Sequence, residues 1–237
     1  MPRLKLTVLS LRYSSWSMRP WLALTHAGAT FATETVRLPH MLGESESTPL
    51  ADRRRLGSVR GLFPVLSVDG TPIHESLAIC EYVADAFPEA GLWPEDAPSR
   101  AQARAISCEM LSGFADMRNE LACHLFARIP TFTPSTCTQA DISRIFELWK
   151  ECLDRSGGPF LFGRFSIAYA MYYPVLTRFR TYRIPLAEAV ADYAHALETL
   201  PTVHQLTEVA STAPPTPVYD DYIRELGGNP DAELPVS

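Results

Sequence analysis

The stretch Gly61-Leu-Phe-Pro-Val-Leu-Ser-Val-Asp-Gly-Thr-Pro-Ile-His-Glu-Ser-Leu-Ala-Ile-Cys-Glu-Tyr-Val83 decides the architecture of the first part of this chain. Pro64 lacks a backbone N–H and breaks an interior strand position, so it opens a strand or sits in a turn, with a cis bond an open option. That leaves the N–H and C=O of Phe63 free to pair with something else. Val65 to Val68 reads as a strand, Asp69-Gly70 as a tight turn supplying positive φ, and Thr71 to Ile73 as a short return strand. Leu77, Ile79, Cys80, Val83 and Ala84 then form an apolar face at helical spacing. Glu75-Ser76 stands at the head of that helix, where free N–H groups beside a serine hydroxyl would hold a carboxylate. A carboxylate holder beside unpaired strand backbone suits a short anionic peptide.

Working outward, Leu4 to Leu9 reads as a buried strand, Arg12 to Arg19 as a polar turn, and Pro20 to Ala27 as a helix ended by Gly28. Phe31 to Val36 alternates as a second strand. Residues 37–60 hold Pro39, Gly43, Pro49 and Gly57, which predicts a loop with at most a short irregular helix, able to fold over a ligand. The order strand, helix, strand, long connection, strand, strand, helix is thioredoxin-like. Residues 88–98 are dense in breakers and read as a linker between this unit, 1–87, and a helical domain over 99–210. Helical stretches are expected at 99–128, 139–155, 166–182 and 186–200, with Pro174 placed to kink the third. Residues 211–237 are weakly periodic and read as an extended tail. The expected fold class is therefore α/β followed by all-α.

The chain has 237 residues, 46% hydrophobic, with a formal charge of -6. That length supports one large or two small cores, and that charge argues against a nucleic-acid or anionic-membrane partner. Cys80, Cys108, Cys123, Cys137 and Cys152 are odd in number and form no C-x-x-C pair, so neither a metal site nor a disulfide framework is expected. They read as reduced thiols. No basic-then-apolar leader opens the chain and no apolar run is long enough to span a bilayer, so a cytoplasmic location is expected.

Ser14, Ser15 and Ser17 all lie just before or at the start of the first helix. A hydroxyl there can stabilise an anion through a hydrogen bond plus the positive end of the helix dipole. Taken alone, Ser14-Ser15-Trp16-Ser17 reads better as an ordinary strand-to-helix turn with an N-cap. Ser14-Ser15-Trp16-Ser17-Met18-Arg19 is similar to the Ser-Ser-Cys-Ser-x-Arg motif of the zeta class of the glutathione S-transferase superfamily, and closer to a Ser-Ser-Trp-Ser-x-Arg version in bacterial members. The segment from Gly61 to Val83 resembles that superfamily's glutathione site, in the right order and at the right separation.

The resemblance implies a glutathione S-transferase fold: a thioredoxin-like glutathione-binding domain, then an all-helical substrate domain, in a homodimer. It implies Ser14 as hydrogen-bond donor to the glutathione thiolate, with Ser17 second. It places Ser15, Trp16, Arg19, Phe63, Pro64, Glu75 and Ser76 around glutathione; His40 stands in a loop within reach of its glycyl end, although a solvated loop histidine is the simpler reading. Trp16 stands where zeta members carry cysteine, which argues against a cysteine nucleophile there. Arg19 would add positive charge beneath the thiolate or pair with a carboxylate between the domains. Phe160-Leu-Phe-Gly-Arg-Phe-Ser166 resembles the start of the superfamily's core helix, with Ser166 as its cap; Tyr169 replaces the acidic residue that completes that capping box.

For a second substrate, Cys108, Leu111 and Arg118 share a face at helical spacing, a pattern that also suits core packing. Arg178 and Arg180 lie among aromatic residues that could bind an aromatic acid, though packing with snorkelling arginines explains them as well. The expected function is a transferase activating the glutathione thiol for attack on a small-molecule electrophile. A glutathione-dependent cis-trans isomerase and a biosynthetic sulfur-transfer enzyme are alternatives. A noncatalytic glutathione-binding protein is the alternative of another class.

Overall fold

The computed structural model describes residues 2–38 and 47–234. Among these residues four strands, β1 (Leu4–Val8), β2 (Phe31–Thr35), β3 (Val65–Val68) and β4 (Thr71–His74), form one sheet in the order β2-β1-β3-β4. β1 runs parallel to β2, with Leu4 opposite Phe31, and antiparallel to β3, with Leu6 opposite Leu66. β3 and β4 make the hairpin expected around Asp69-Gly70. Helices α1 (Ser15–His26), α2 (Leu50–Arg55) and α3 (Ser76–Ala86) complete a thioredoxin-like unit. α1 packs on α3 and, on its other side, on the helical unit.

α1 begins earlier than the sequence pattern indicates. Ser14 is its N-cap, accepting the Ser17 N–H, so Ser15 to Arg19 are helical and Pro20 sits inside the helix rather than at its first position. Small buried serines let this turn pack against β1, and the helix runs on although Pro20 offers no N–H to the Trp16 carbonyl.

Among the described residues seven α-helices follow: α4 (Ala97–Ser112), α5 (Ala115–Glu120), α6 (Thr136–Ser156), α7 (Ile167–Thr181), α8 (Glu188–Glu198), α9 (Pro201–Ser211) and α10 (Pro217–Glu225). The single helix expected over 99–128 is instead two. At Gly113 a side chain would stand 2.8 Å from the Glu109 carbonyl oxygen, and Phe114 adopts a left-handed φ of 56° with its ring buried, so the chain turns out of α4. α7 is buried on almost every side and continues through Pro174, whose carbonyl accepts Thr177 Oγ1–H and an Arg178 N–H. Ser166 makes no side-chain cap bond. Tyr169 fills core instead, stacked on Phe165 and edge-on to Phe160.

Residues 88–98 are packed rather than free. Leu92 and Trp93 are buried, Trp93 Nε1–H donates to Glu81 at 2.8 Å, and the Leu92 carbonyl accepts the Ile167 N–H. One hydrophobic core runs through both units. The segment read as an extended tail carries α10, and beyond it Arg128 and Asn229 form a bridge. Gly228 permits that contact, since a side chain there would lie 2.7 Å from the Arg128 carbonyl oxygen.

Candidate functional site

A cavity of about 950 Å³ opens between the thioredoxin-like unit and the helical unit. The first unit contributes the Tyr13-Ser14-Ser15-Trp16 turn, the Ser58–Pro64 approach to β3, and His74-Glu75 at the entry to α3. The second contributes Arg118, Asn119, Ala122, Cys123, Arg178 and Tyr219.

Ser14 and Ser17 are not equivalent. Ser14 lines the cavity and keeps 9% exposure, whereas Ser17 has none and lies behind it. Ser17 Oγ accepts the Leu9 N–H at 3.0 Å, and the two hydroxyl oxygens are 3.0 Å apart. Ser14 Oγ also accepts the Ser17 N–H at 3.3 Å. Ser17 is therefore one step removed from anything in the cavity, which corrects its expected place as second candidate for direct contact. The pair has two protons and one mutual hydrogen bond, so one proton remains for a ligand. Ser15 also lines the cavity, with its Oγ 3.4 Å from an Arg178 nitrogen.

Facing the serines, Phe63 and Pro64 line the cavity through a cis peptide bond. No backbone hydrogen bond joins Phe63 to another described residue. Glu75 precedes α3 at φ 73°, exposed at the cavity, and makes no side-chain cap bond. Ser76, the first residue of α3, is fully buried and its Oγ has no partner among the described residues. The N-terminus of α3 thus lies directly behind Glu75, with no side-chain cap and a spare buried hydroxyl, the chemistry of a carboxylate site; Ser76 itself, expected to contact the ligand, does not line the cavity.

Beneath Trp16 the charge is one-sided. Arg19 is fully buried, 4.4 Å from the Trp16 ring centroid, with Nε and one terminal nitrogen unpaired among the described residues. Burial, then the neighbouring Arg178 and Arg118 charges, lower its pKa to about 9. Arg19 does not line the cavity and pairs with no carboxylate among the described residues, so the expected ion pair between the domains is not found. The Arg118 guanidinium lies 5.6 Å from the centroid of the same Trp16 ring and donates to the Met110 and Leu111 carbonyls; burial and then Arg178 lower its pKa. Arg178 donates to the Leu121 and Pro174 carbonyls. Arg180 turns away, donating to the Leu125 carbonyl and pairing with Glu198.

Cys108 and Leu111 do not line the cavity. Cys108 is exposed on α4 and Leu111 packs at the edge of the core, because the break at Gly113-Phe114 separates their face from Arg118. His40 lies outside the described residues. Sequence reasoning passed over Tyr13, Tyr219 and Arg60, which reach the cavity from the turn, α10 and the loop before β3. Only the aromatic setting of Arg178 carried a signal for that residue. Among the described residues, no group of His, Cys, Asp and Glu could hold a metal, and no helix is long and apolar enough to cross a membrane.

A thioredoxin-like sheet joined to a helical unit, with a cleft between them, defines a class of two-unit proteins found repeatedly among solved structures. Residues 13–86 match the family model of the glutathione S-transferase N-terminal domain. The chain is 37% identical over 106 residues to a probable maleylacetoacetate isomerase of Caenorhabditis elegans, covering 45% of this chain and 46% of that protein. It is 32% identical over 106 residues to the maleylacetoacetate isomerase of Rattus norvegicus, covering 45% and 47%. The matched part thus spans about half the length of these relatives. In fold, the chain is similar to a glutathione transferase homologue from Burkholderia solved with bound glutathione, at a TM-score of 0.67 and 20% identity, covering 90% of this chain and 100% of that one. A diazinon-metabolizing glutathione S-transferase of the silkworm Bombyx mori matches at a TM-score of 0.68 and 19% identity, covering 87% and 97%. Residues 13–86 thus match a glutathione S-transferase N-terminal domain, and the fold of the whole chain is that of solved glutathione transferases.

Proposed function

We propose that this protein is a glutathione-dependent enzyme that raises the thiol of glutathione to a nucleophile with Ser14 and directs it at a small electrophile held against the helical unit. The observation that carries this reading is the arrangement around one cavity: a cavity-lining Ser14, a Phe63 backbone unpaired with any described residue, and Glu75 at the entry to α3, with the spare Ser76 hydroxyl buried just behind it. Phe63 would pair with the peptide backbone of glutathione as an added strand does. Ser76 and the α3 N–H groups would take its γ-glutamyl carboxylate, and Glu75 the neighbouring ammonium. Arg60, which makes no hydrogen bond or ion pair with another described residue, is placed for the glycyl carboxylate.

A free thiol with pKa near 8.5 is mostly protonated at neutral pH. In the structure Ser14 Oγ–H donates to Ser17 Oγ, which also accepts the Leu9 N–H; turning the pair round, so that Ser17 O–H donates to Ser14 Oγ, would free the Ser14 O–H to donate to the sulfur. The α1 dipole adds to the same end. Arg19, Arg118 and Arg178 supply clustered positive charge, with Asp141 near Arg118 as the one carboxylate acting on Arg19 or Arg118 among the described residues, which favours an anionic electrophile. With the names of its relatives, this extends the reading to an unsaturated acid of the maleylacetoacetate kind. The thiolate adds to one alkene carbon, the former double bond rotates, and the thiolate leaves, so glutathione is regenerated and only geometry changes. We extend the reading to a homodimer, with exposed Leu50, Val59 and Leu62 as apolar surface for a second copy.

The test is glutathione-dependent turnover of maleylacetoacetate beside the neutral electrophile chlorodinitrobenzene. Turnover of the acid supports the isomerase. Turnover of chlorodinitrobenzene alone restricts the reading to a transferase, and turnover of neither overturns it.

A further inference from the structure

We infer that Tyr219 is a specificity-determining residue of the electrophile side of the cavity and that Asp220 is its positioning residue. This rests on the glutathione reading only for what the cavity's other half holds. Tyr219 lies on α10, in the last part of the chain, yet it lines the same cavity as Ser14 and Arg178. Its ring stacks on that of Tyr13, with centroids 5.3 Å apart and planes 15° apart, and its hydroxyl makes no hydrogen bond to a described residue. An aromatic face and an unpaired hydroxyl beside Arg178 match a planar, conjugated anion better than a saturated or neutral compound.

The neighbouring residue explains how a residue so near the end of the chain can form a fixed wall. Asp220 is 2% exposed and its Oδ1 accepts Tyr13 O–H at 2.9 Å and His124 Nε2–H at 2.9 Å, with an Arg12 nitrogen 4.0 Å away. The Tyr13 oxygen also accepts the Thr216 N–H at the head of α10. Arg12 reaches further along the segment, to Asp231 and the Pro230 carbonyl. Arg12, Tyr13 and Ser14 are consecutive, so one buried carboxylate ties the serine turn to the helix carrying Tyr219. The Tyr13 hydroxyl, occupied by Asp220 and Thr216, is not available to a thiol.

Two titrations of the full chain test this. Naphthalene-2-sulfonate, a planar fluorescent aromatic anion and the dye of this test, is titrated into wild type, Tyr219→Phe, Tyr219→Ala and Asp220→Asn, and glutathione is titrated into the same proteins. Tyr219→Ala should weaken the dye at least tenfold, Tyr219→Phe by less, and Asp220→Asn by an intermediate factor, with glutathione affinity changed less than twofold in the Tyr219 variants. Dye affinity unchanged in Tyr219→Ala overturns the assignment of Tyr219, and dye affinity unchanged in a folded Asp220→Asn overturns that of Asp220. Absence of glutathione binding by wild type would sink the functional reading while leaving the dye comparison to decide the wall. Where turnover is found, Tyr219→Ala should raise KM for an unsaturated acid and leave KM for glutathione unchanged.

Discussion

Glu75 holds a φ of 73° at the mouth of the cavity, a conformation that costs a residue with a side chain about 1–3 kcal/mol. Neither a cap bond nor core packing accounts for keeping glutamate there. Its carboxylate beside the open end of α3 does, if a ligand ammonium meets it. Glu75→Gly should therefore leave the urea midpoint unchanged or raise it, by up to about 1 kcal/mol in stability, while weakening glutathione at least tenfold. A destabilised variant with unaltered affinity would contradict this role. Ser14 and Pro64 were legible because their chemistry is local: a cap at a helix start, and a missing N–H at a strand start. Arg178 and Tyr219 reach the same cavity only through the packing of α7 and α10, which no short window of sequence contains. Ser17 was legible as a hydroxyl near the helix start, but its orientation behind Ser14 depends on the Leu9 N–H across the turn.

The elements divide in the same way. The hairpin from Val65 to His74 and the helix after it follow from proline, Asp-Gly and an apolar face. The break between α4 and α5 did not, because it depends on how closely Gly113 approaches Glu109 and on burying Phe114 in a left-handed turn. α10 was read as an extended tail because its few apolar residues are separated by acids, one of which, Asp220, is buried only by virtue of Arg12, Tyr13 and His124. That attachment has a pH signature. His124 Nδ1 accepts the Phe126 N–H and Nε2–H donates to Asp220, which fits the neutral ring. Burial lowers its pKa from 6.5 to about 4, with Arg12 acting in the same direction and the Asp220 hydrogen bond opposing. Between those values the unfolded chain binds the proton and the folded chain does not. The contribution is thus complete above pH 6.5 and is lost as pH falls toward 4, a change on the order of 3 kcal/mol at most. Urea midpoints of wild type should fall over that window more steeply than those of His124→Asn, and parallel curves would refute the assignment.

At the scale of the whole molecule, the activity proposed here belongs to the cleft rather than to either unit. The thioredoxin-like unit brings a serine, a free strand backbone and a helix N-terminus; the helical unit brings arginine charge and an aromatic wall. A single core continuous through Leu92 and Trp93 holds the two in register. The central claim is that Ser14 stabilises the thiolate, and a hydrogen bond to a charged group contributes about 1.5–3 kcal/mol, or roughly one to two pKa units. Ser14→Ala also removes the α1 cap, at about 1 kcal/mol of stability, so the variant should still fold. The most direct measurement is a pH titration of the thiol of bound glutathione by its ultraviolet thiolate absorbance, in wild type and Ser14→Ala. The account predicts a bound thiol pKa below that of free glutathione in wild type, rising by at least about one unit in Ser14→Ala. Equal pKa values in the two proteins, or no lowering in wild type, would contradict it.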